Sequence, residues 1–91
     1  MNNNDYKNYL TVQSLQLSRL KIQFRNVRDA LQYSVLADEI IEVILDCDEK
    51  HDEFTRTNGY IVPLENQYNR FREDADSIMN FCRNFKEIRG Y

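Results

Sequence analysis

The most regular pattern of apolar and polar positions lies in the last third of the chain. Apolar residues recur there at steps of three and four: Ile61, Leu64, Tyr68, Phe71, Ala75, Ile78, Cys82 and Phe85. This spacing keeps one face of a helix turned toward a neighbouring helix. Pro63 suits the first helical turn, and Gly90 can adopt the left-handed conformation that closes a helix. The pattern therefore predicts a long helix over residues 63–89.

Two further helices are predicted in the first two thirds, where no glycine or proline occurs between Asp5 and Asn58. Their apolar stripes are Leu10, Leu17, Leu20, Phe24, Val27 and Leu31, and then Leu36, Ile40, Val43, Cys47 and Phe54. We expect helices over about residues 5–33 and 35–57, with a break at Gln32–Ser34 and a frayed segment at residues 1–4. One continuous helix through both stripes is the alternative.

The predicted fold is all-α, with one domain over residues 5–91. The short link around Gly59 favours an antiparallel hairpin of the second and third helices, which the N-terminal helix joins. Folding about this link brings Phe54 near Leu64 and Leu36 near Phe85. We expect a three-helix unit with coiled-coil-like packing that assembles into a larger helical bundle.

Composition agrees with a helical domain in the cytoplasm. Hydrophobic residues make up 42% of the chain, which permits a packed core, and two glycines and one proline are too few for the turns of an all-β domain. The start does not resemble a signal peptide, and no stretch is apolar enough to span a membrane. Cys47 and Cys82 both lie on apolar stripes, which favours buried free thiols and a reducing compartment.

Charge is segregated along the chain. Residues 1–34 carry five Lys/Arg and two acids, a net of +3, whereas residues 35–59 carry two Lys/Arg and eight acids, a net of −6. Four basic residues cluster on the first helix: Arg19, Lys21, Arg25 and Arg28. They favour packing beside the acidic edge of the second helix, formed by Glu39, Asp46 and Glu53, within one chain or between two. The alternative is a helical dimer whose basic residues contact nucleic-acid phosphates.

Two acidic pairs with a spacing of three residues come level in the predicted hairpin. They are Glu39-x-x-Glu42 on the second helix and Glu73-x-x-Asp76 on the third. This arrangement resembles the ExxE…ExxD motif of the MazG-like all-α nucleotide pyrophosphohydrolases. The resemblance implies that the four acids bind Mg²⁺, which in turn holds a nucleoside triphosphate. No cofactor other than this Mg²⁺ is expected. A second acidic cluster, around the single histidine His51, is interpreted as a solvated helix face.

Apolar residues outside the three stripes give the helices a second apolar side. Five of them are predicted to form an interface: Leu15, Ile22, Leu45, Phe81 and Ile88. A helix with two apolar sides needs two neighbours. The favoured hypothesis is a small non-catalytic protein–protein interaction module, such as an adaptor, an assembly factor or an inhibitor of viral or mobile-element origin. Its expected partner is another protein or a second copy of the chain.

Overall fold

Three α-helices and no strand make up the protein in the computed structural model, which describes all 91 residues. They are α1 (Asn3–Phe24), α2 (Ala30–Asn58) and α3 (Val62–Arg89). α1 packs against both α2 and α3, and the bundle measures 45 × 18 × 16 Å along its principal axes. The all-α prediction is confirmed. None of the helices combines the length and the apolar character that a membrane span requires.

A single apolar core runs along the bundle axis. It consists of fifteen buried residues: Tyr6, Leu10, Leu17, Leu20, Phe24, Val27, Ile40, Ile44, Cys47, Phe54, Leu64, Phe71, Ala75, Ile78 and Cys82. All three predicted stripes contribute to it. Each fully buried large apolar side chain stabilises the fold by about 1.5–3 kcal/mol. Leu31, the last residue of the first predicted stripe, is the exception, since it is 74% exposed and lies at the start of α2, beyond the end of α1.

The N-terminal helix α1 begins at Asn3, two residues before the predicted start near residue 5, so residues 3 and 4 of the segment predicted to be frayed are helical. Asn2 caps α1, and its side-chain oxygen accepts a hydrogen bond of 2.8 Å from the backbone N–H of Asp5. Asparagine is a favoured cap because its short side chain reaches these otherwise unpaired donors. Tyr6, fully buried in the core, then holds the first turn in place.

The break between the first two helices lies at residues 25–29 rather than at Gln32–Ser34. α1 ends at Phe24, nine residues before the predicted end, and α2 begins at Ala30 instead of residue 35. Asp29 caps α2 by accepting a hydrogen bond of 2.8 Å from the Gln32 N–H. The Gln32 side chain in turn accepts one of 2.9 Å from the Arg28 N–H. These reciprocal bonds satisfy donors that the turn exposes, and they rule out one continuous helix.

The turn between α2 and α3 allows the two helices to pack in antiparallel directions. Gly59 closes α2 with a φ of 76°, a left-handed value that favours glycine. Side-chain contacts show the pairing: Arg72 lies 3.4 Å from Asp48, and the Tyr33 hydroxyl donates a hydrogen bond of 3.0 Å to the Cys82 carbonyl. These pairs agree with the register predicted for the hairpin. Both cysteines are buried and free.

Candidate functional site

All three helices contribute polar side chains to one cluster around His51. The Tyr6 hydroxyl of α1 lies 2.6 Å from His51 Nδ1 of α2, at hydrogen-bond distance. On the other side of the ring, Glu65 of α3 places Oε2 3.1 Å from His51 Nε2. The direction of that approach does not meet hydrogen-bond geometry, and this buried oxygen has no other partner. Tyr68 stacks on the imidazole with ring centroids 3.7 Å apart.

A second layer of the cluster is held by Asp48. One of its carboxylate oxygens accepts a hydrogen bond of 2.5 Å from the Tyr68 hydroxyl, and the other lies 3.4 Å from the Arg72 guanidinium. Arg72 also approaches Asp76 at 3.7 Å. The Tyr9 hydroxyl donates to Asp46 and adds a further link between α1 and α2. The polar groups thus form a continuous network across the helix interfaces.

Burial changes the acidity of side chains in and beside this network. Burial raises the pKa of the Tyr6 phenol far above its ordinary value, so the hydroxyl keeps its proton. Burial is also the main cause that raises the pKa of the Cys47 thiol to about 12, with the Asp48 charge second. A thiol of this kind is a poor nucleophile at neutral pH. Tyr6 and Cys47 therefore keep their protons at neutral pH, and the cluster places His51 between side chains of α1 and α3.

The structure does not bring the four predicted Mg²⁺ ligands into one site. Glu39 and Glu42 on α2, and Glu73 and Asp76 on α3, are all exposed. Among all 91 residues there is no group of three or more His, Cys, Asp or Glu side chains with the geometry to hold a metal ion. Asp76 instead forms part of the Arg72 network. A nucleotide site built from these acids would need a rearrangement or side chains from outside this chain.

The four predicted basic residues do not form one stripe either. Arg25 and Arg28 lie in the α1–α2 turn, where they line an open cavity of about 440 Å³ with Arg89 from the end of α3. Lys21 faces α3 and shares a shallow cavity with Asp74. Arg19 is exposed and forms no ion pair. No ion pair joins α1 to α2, so the expected charge match with the acidic edge of α2 is absent within the chain.

The five predicted interface residues are all on the surface, distributed over three helices. Leu15 and Ile22 of α1 are 55% and 61% exposed, and Leu45 of α2 is 61% exposed. Ile88 of α3 is more exposed still, whereas Phe81 is only at the edge of exposure because its ring packs edge-on against Phe24 at 5.9 Å. Leu15, Ile22, Leu45 and Ile88 are therefore left on the surface, whereas Phe81 is partly covered by Phe24 of α1.

Sequence reasoning missed residues at both candidate sites. Tyr6 is missing from the predicted stripe of the first helix, although its spacing of four from Leu10 extends the buried stripe of α1. Val12 and Val35 were not included in the interface, yet both are more than half exposed. For Val12 the sequence does contain a signal, because it precedes Leu15 by three residues and Leu15 precedes Ile22 by seven, which places all three on one side of a helix. The His51 network had no local signal, because its members lie far apart in sequence.

Comparisons with protein-family models, curated proteins and solved structures find no match to this chain. Any function must therefore be inferred from the geometry and chemistry of the chain itself.

Proposed function

We propose that this protein is a small non-catalytic interaction module that binds another protein chain through the outward apolar faces of its helices. The observation that supports the proposal is the exposure of Leu15, Ile22 and Leu45 beside a core that is already complete without them. Single exposed apolar residues are common on protein surfaces. A series of them along one face of a helix is the pattern that helix-to-helix recognition uses.

The outward face of α1 has such a series. Val12, Leu15, Arg19 and Ile22 follow one another at steps of three and four, the spacing of a coiled-coil seam. A helix turns by about 100° per residue, so this stripe lies opposite the buried stripe that includes Leu10 and Leu17. Three of its four members are apolar and more than half exposed. α1 therefore carries one apolar stripe for the core and another for a partner.

The partner surface continues onto α2. Val35 and Leu45 are exposed on its outer side. An open groove of about 380 Å³ at the α1–α2 turn is lined mainly by the apolar residues Val27, Leu31, Val35 and Leu36. Such a surface suits the face of another helix, as in an adaptor, an assembly factor or an inhibitor that occupies a groove. A cytoplasmic accessory protein of a virus or mobile element fits this size and composition.

Lysine-directed cross-linking in cell lysate tests the interaction, with the wild-type chain compared with the double variant Leu15→Glu/Leu45→Glu. We expect the wild type to form defined complexes, either with itself or with another protein, and the double variant to lose them while it keeps its helical circular dichroism. The control is Asn80→Glu/Asn84→Glu, which adds the same charge to exposed positions of α3. Equal complexes in both variants, or none with the wild type, would contradict the proposal.

A further inference from the structure

We infer that the occupant of this surface is a second copy of the same chain, related by a two-fold axis that runs parallel to the helices and places α1 of each copy against α2 of the other. The inference rests on the proposed function and names its partner. An isologous dimer of this kind uses the same patch twice, so the patch must be complementary to itself. Its charges and its apolar positions both meet this condition.

Charge selects the pairing of helices. The first 34 residues carry a net charge of +3, and residues 35–59 carry −6. Counted over the helices themselves, α1 has a net charge of +2 from Lys7, Arg19 and Lys21 against Asp5, and α2 has a net charge of −6. No ion pair links α1 to α2 within the chain. A two-fold axis perpendicular to the helices would stack α1 on α1 and α2 on α2, with like charges facing each other. The axis parallel to the helices stacks α1 on α2 in both halves, with opposite charges facing.

The register follows from symmetry. Rotation about an axis parallel to the helices does not move a residue along them, so each α1 residue meets the α2 residue that is level with it in its own chain. Two contacts fix the levels: Tyr9 bonds to Asp46 at one end, and Phe24 packs on Tyr33 at the other with centroids 5.1 Å apart. Fifteen residue steps along α1 thus correspond to thirteen along α2, in the opposite direction.

This register brings apolar residues of one copy near apolar residues of the other, and a basic residue near an acidic one. Interpolation between the two fixed levels puts Ile22 level with Val35 of the second copy. Val12 then lies within two residues of the level of Leu45, and Arg19 within one residue of the level of Asp38, offsets of about 3 Å or less along the axis at about 1.5 Å per residue. The six side chains of these three pairs are all exposed in the single chain. Neither Arg19 nor Asp38 has an ion-pair partner there. Apolar contacts flanking a charge pair are the arrangement that fixes register between helices.

The accessible surface of the single chain is larger than average for its mass, which agrees with a chain that buries further surface in a dimer. The single copy exposes 6138 Å², whereas a folded monomer of 11.0 kDa exposes about 5,600 Å² on average. The elongated shape accounts for part of the difference. A standard dimer interface removes about 800 Å² from each partner. The outer faces of α1 and α2 extend along most of the 45 Å length of the bundle, which provides enough room for such an interface.

A charge-swap series measured by sedimentation equilibrium tests the inference on the full chain. We expect wild-type protein to dimerise, and Arg19→Asp or Asp38→Arg alone to weaken the dimer at least tenfold, because each change places like charges together at two symmetric positions. The double variant Arg19→Asp/Asp38→Arg restores the opposite-charge pair and should return to within about threefold of wild type. Arg83→Asp on the exposed side of α3 makes the same charge change outside the interface and should leave dimerisation unchanged.

Two results would overturn the inference: a wild-type chain that stays monomeric, or a double variant that dimerises no better than the single variants. A monomer that still forms cross-linked complexes through Leu15 and Leu45 would refute the second copy as occupant and leave the interaction module intact. Loss of both signals would refute the interaction module as well.

Discussion

Replacing Tyr6 by phenylalanine removes one hydroxyl from the centre of the three-helix contact and leaves the aromatic ring in place. The ring stacks on Phe54 with centroids 4.2 Å apart and planes 6° from parallel, and phenylalanine keeps this contact. The hydrogen bond to His51 is lost, at a cost of about 1 kcal/mol. His51 Nδ1 then loses its hydrogen-bond partner in a side chain that is only 12% exposed, which adds up to about 1 kcal/mol.

The free energy of unfolding of Tyr6→Phe should therefore fall by about 1–2 kcal/mol. For a domain of this size, that corresponds to a decrease in Tm of roughly 5–15 °C. Chemical denaturation followed by circular dichroism measures the change at fixed protein concentration, because association would also affect stability. Tyr60→Phe is the matched control, since Tyr60 is highly exposed and forms no hydrogen bond. If the two variants were equally stable, the network around His51 would not hold the helices together.

Further predictions concern the core, one turn and the thiols. Ile40→Ala should lower the free energy of unfolding by about 2–5 kcal/mol and the neighbouring exposed Ile41→Ala by well under half of that, as urea titration can show. Gly59→Ala should cost about 1–2 kcal/mol by the same assay through backbone strain alone, because the added methyl group meets no atom within 4 Å. Cys47 and Cys82 should react with a disulfide reagent at neutral pH only when the chain unfolds, and equal rates for native and denatured protein would contradict their burial.

Stability should also decrease in alkaline solution. The pKa of the Cys47 thiol rises from its ordinary value of 9.0 to about 12 in the folded chain. Above pH 9.0 the unfolded chain releases this proton first, so the stabilising contribution is complete below pH 9.0 and is lost as the pH rises toward 12. Cys47→Ala should show a less steep decrease than wild type in urea titrations across this range. Identical slopes would show that burial does not perturb this thiol.

Two hypotheses from the sequence have direct solution tests. A MazG-like pyrophosphohydrolase would be stabilised against heat by Mg²⁺ with a nucleoside triphosphate, and Glu42→Gln would abolish the effect. A nucleic-acid-binding dimer would shift DNA or RNA in a gel at low salt, and Arg25→Ala would weaken that shift. Because the four acids do not form one site and the four basic residues lie in three separate places, we expect neither effect in the wild-type chain.

The helices and their buried faces could be predicted from the sequence because these depend on local spacing. The stripe from Leu64 to Cys82 is buried as its steps of three and four predicted, except for Tyr68, which is partly buried. The first break was misplaced, although Asp29 followed by Gln32 three residues later is a recognisable capping signal. Hydrophobic periodicity outweighed that signal, since Val27 and Leu31 extend the stripe of α1 across the turn.

The candidate sites were only partly predictable, for a different physical reason. Exposure of Leu15, Ile22 and Leu45 follows from their position off the main stripe, and the structure agrees. The His51 network joins residues 45 positions apart in the case of Tyr6, so only the packing of the helices reveals it. Which acids and bases come together likewise depends on the rotation of each helix about its axis.

The central claim, that the outer faces of α1 and α2 form an interface between chains, is tested most directly by nuclear Overhauser spectroscopy on a mixture of isotope-labelled and unlabelled protein. Isotope filtering retains only contacts between different copies. The account predicts methyl contacts between Val12 and Leu45 and between Ile22 and Val35. A spectrum with no intermolecular contacts at concentrations where the protein is dimeric, or with contacts only from α3 residues such as Ile88, would contradict it.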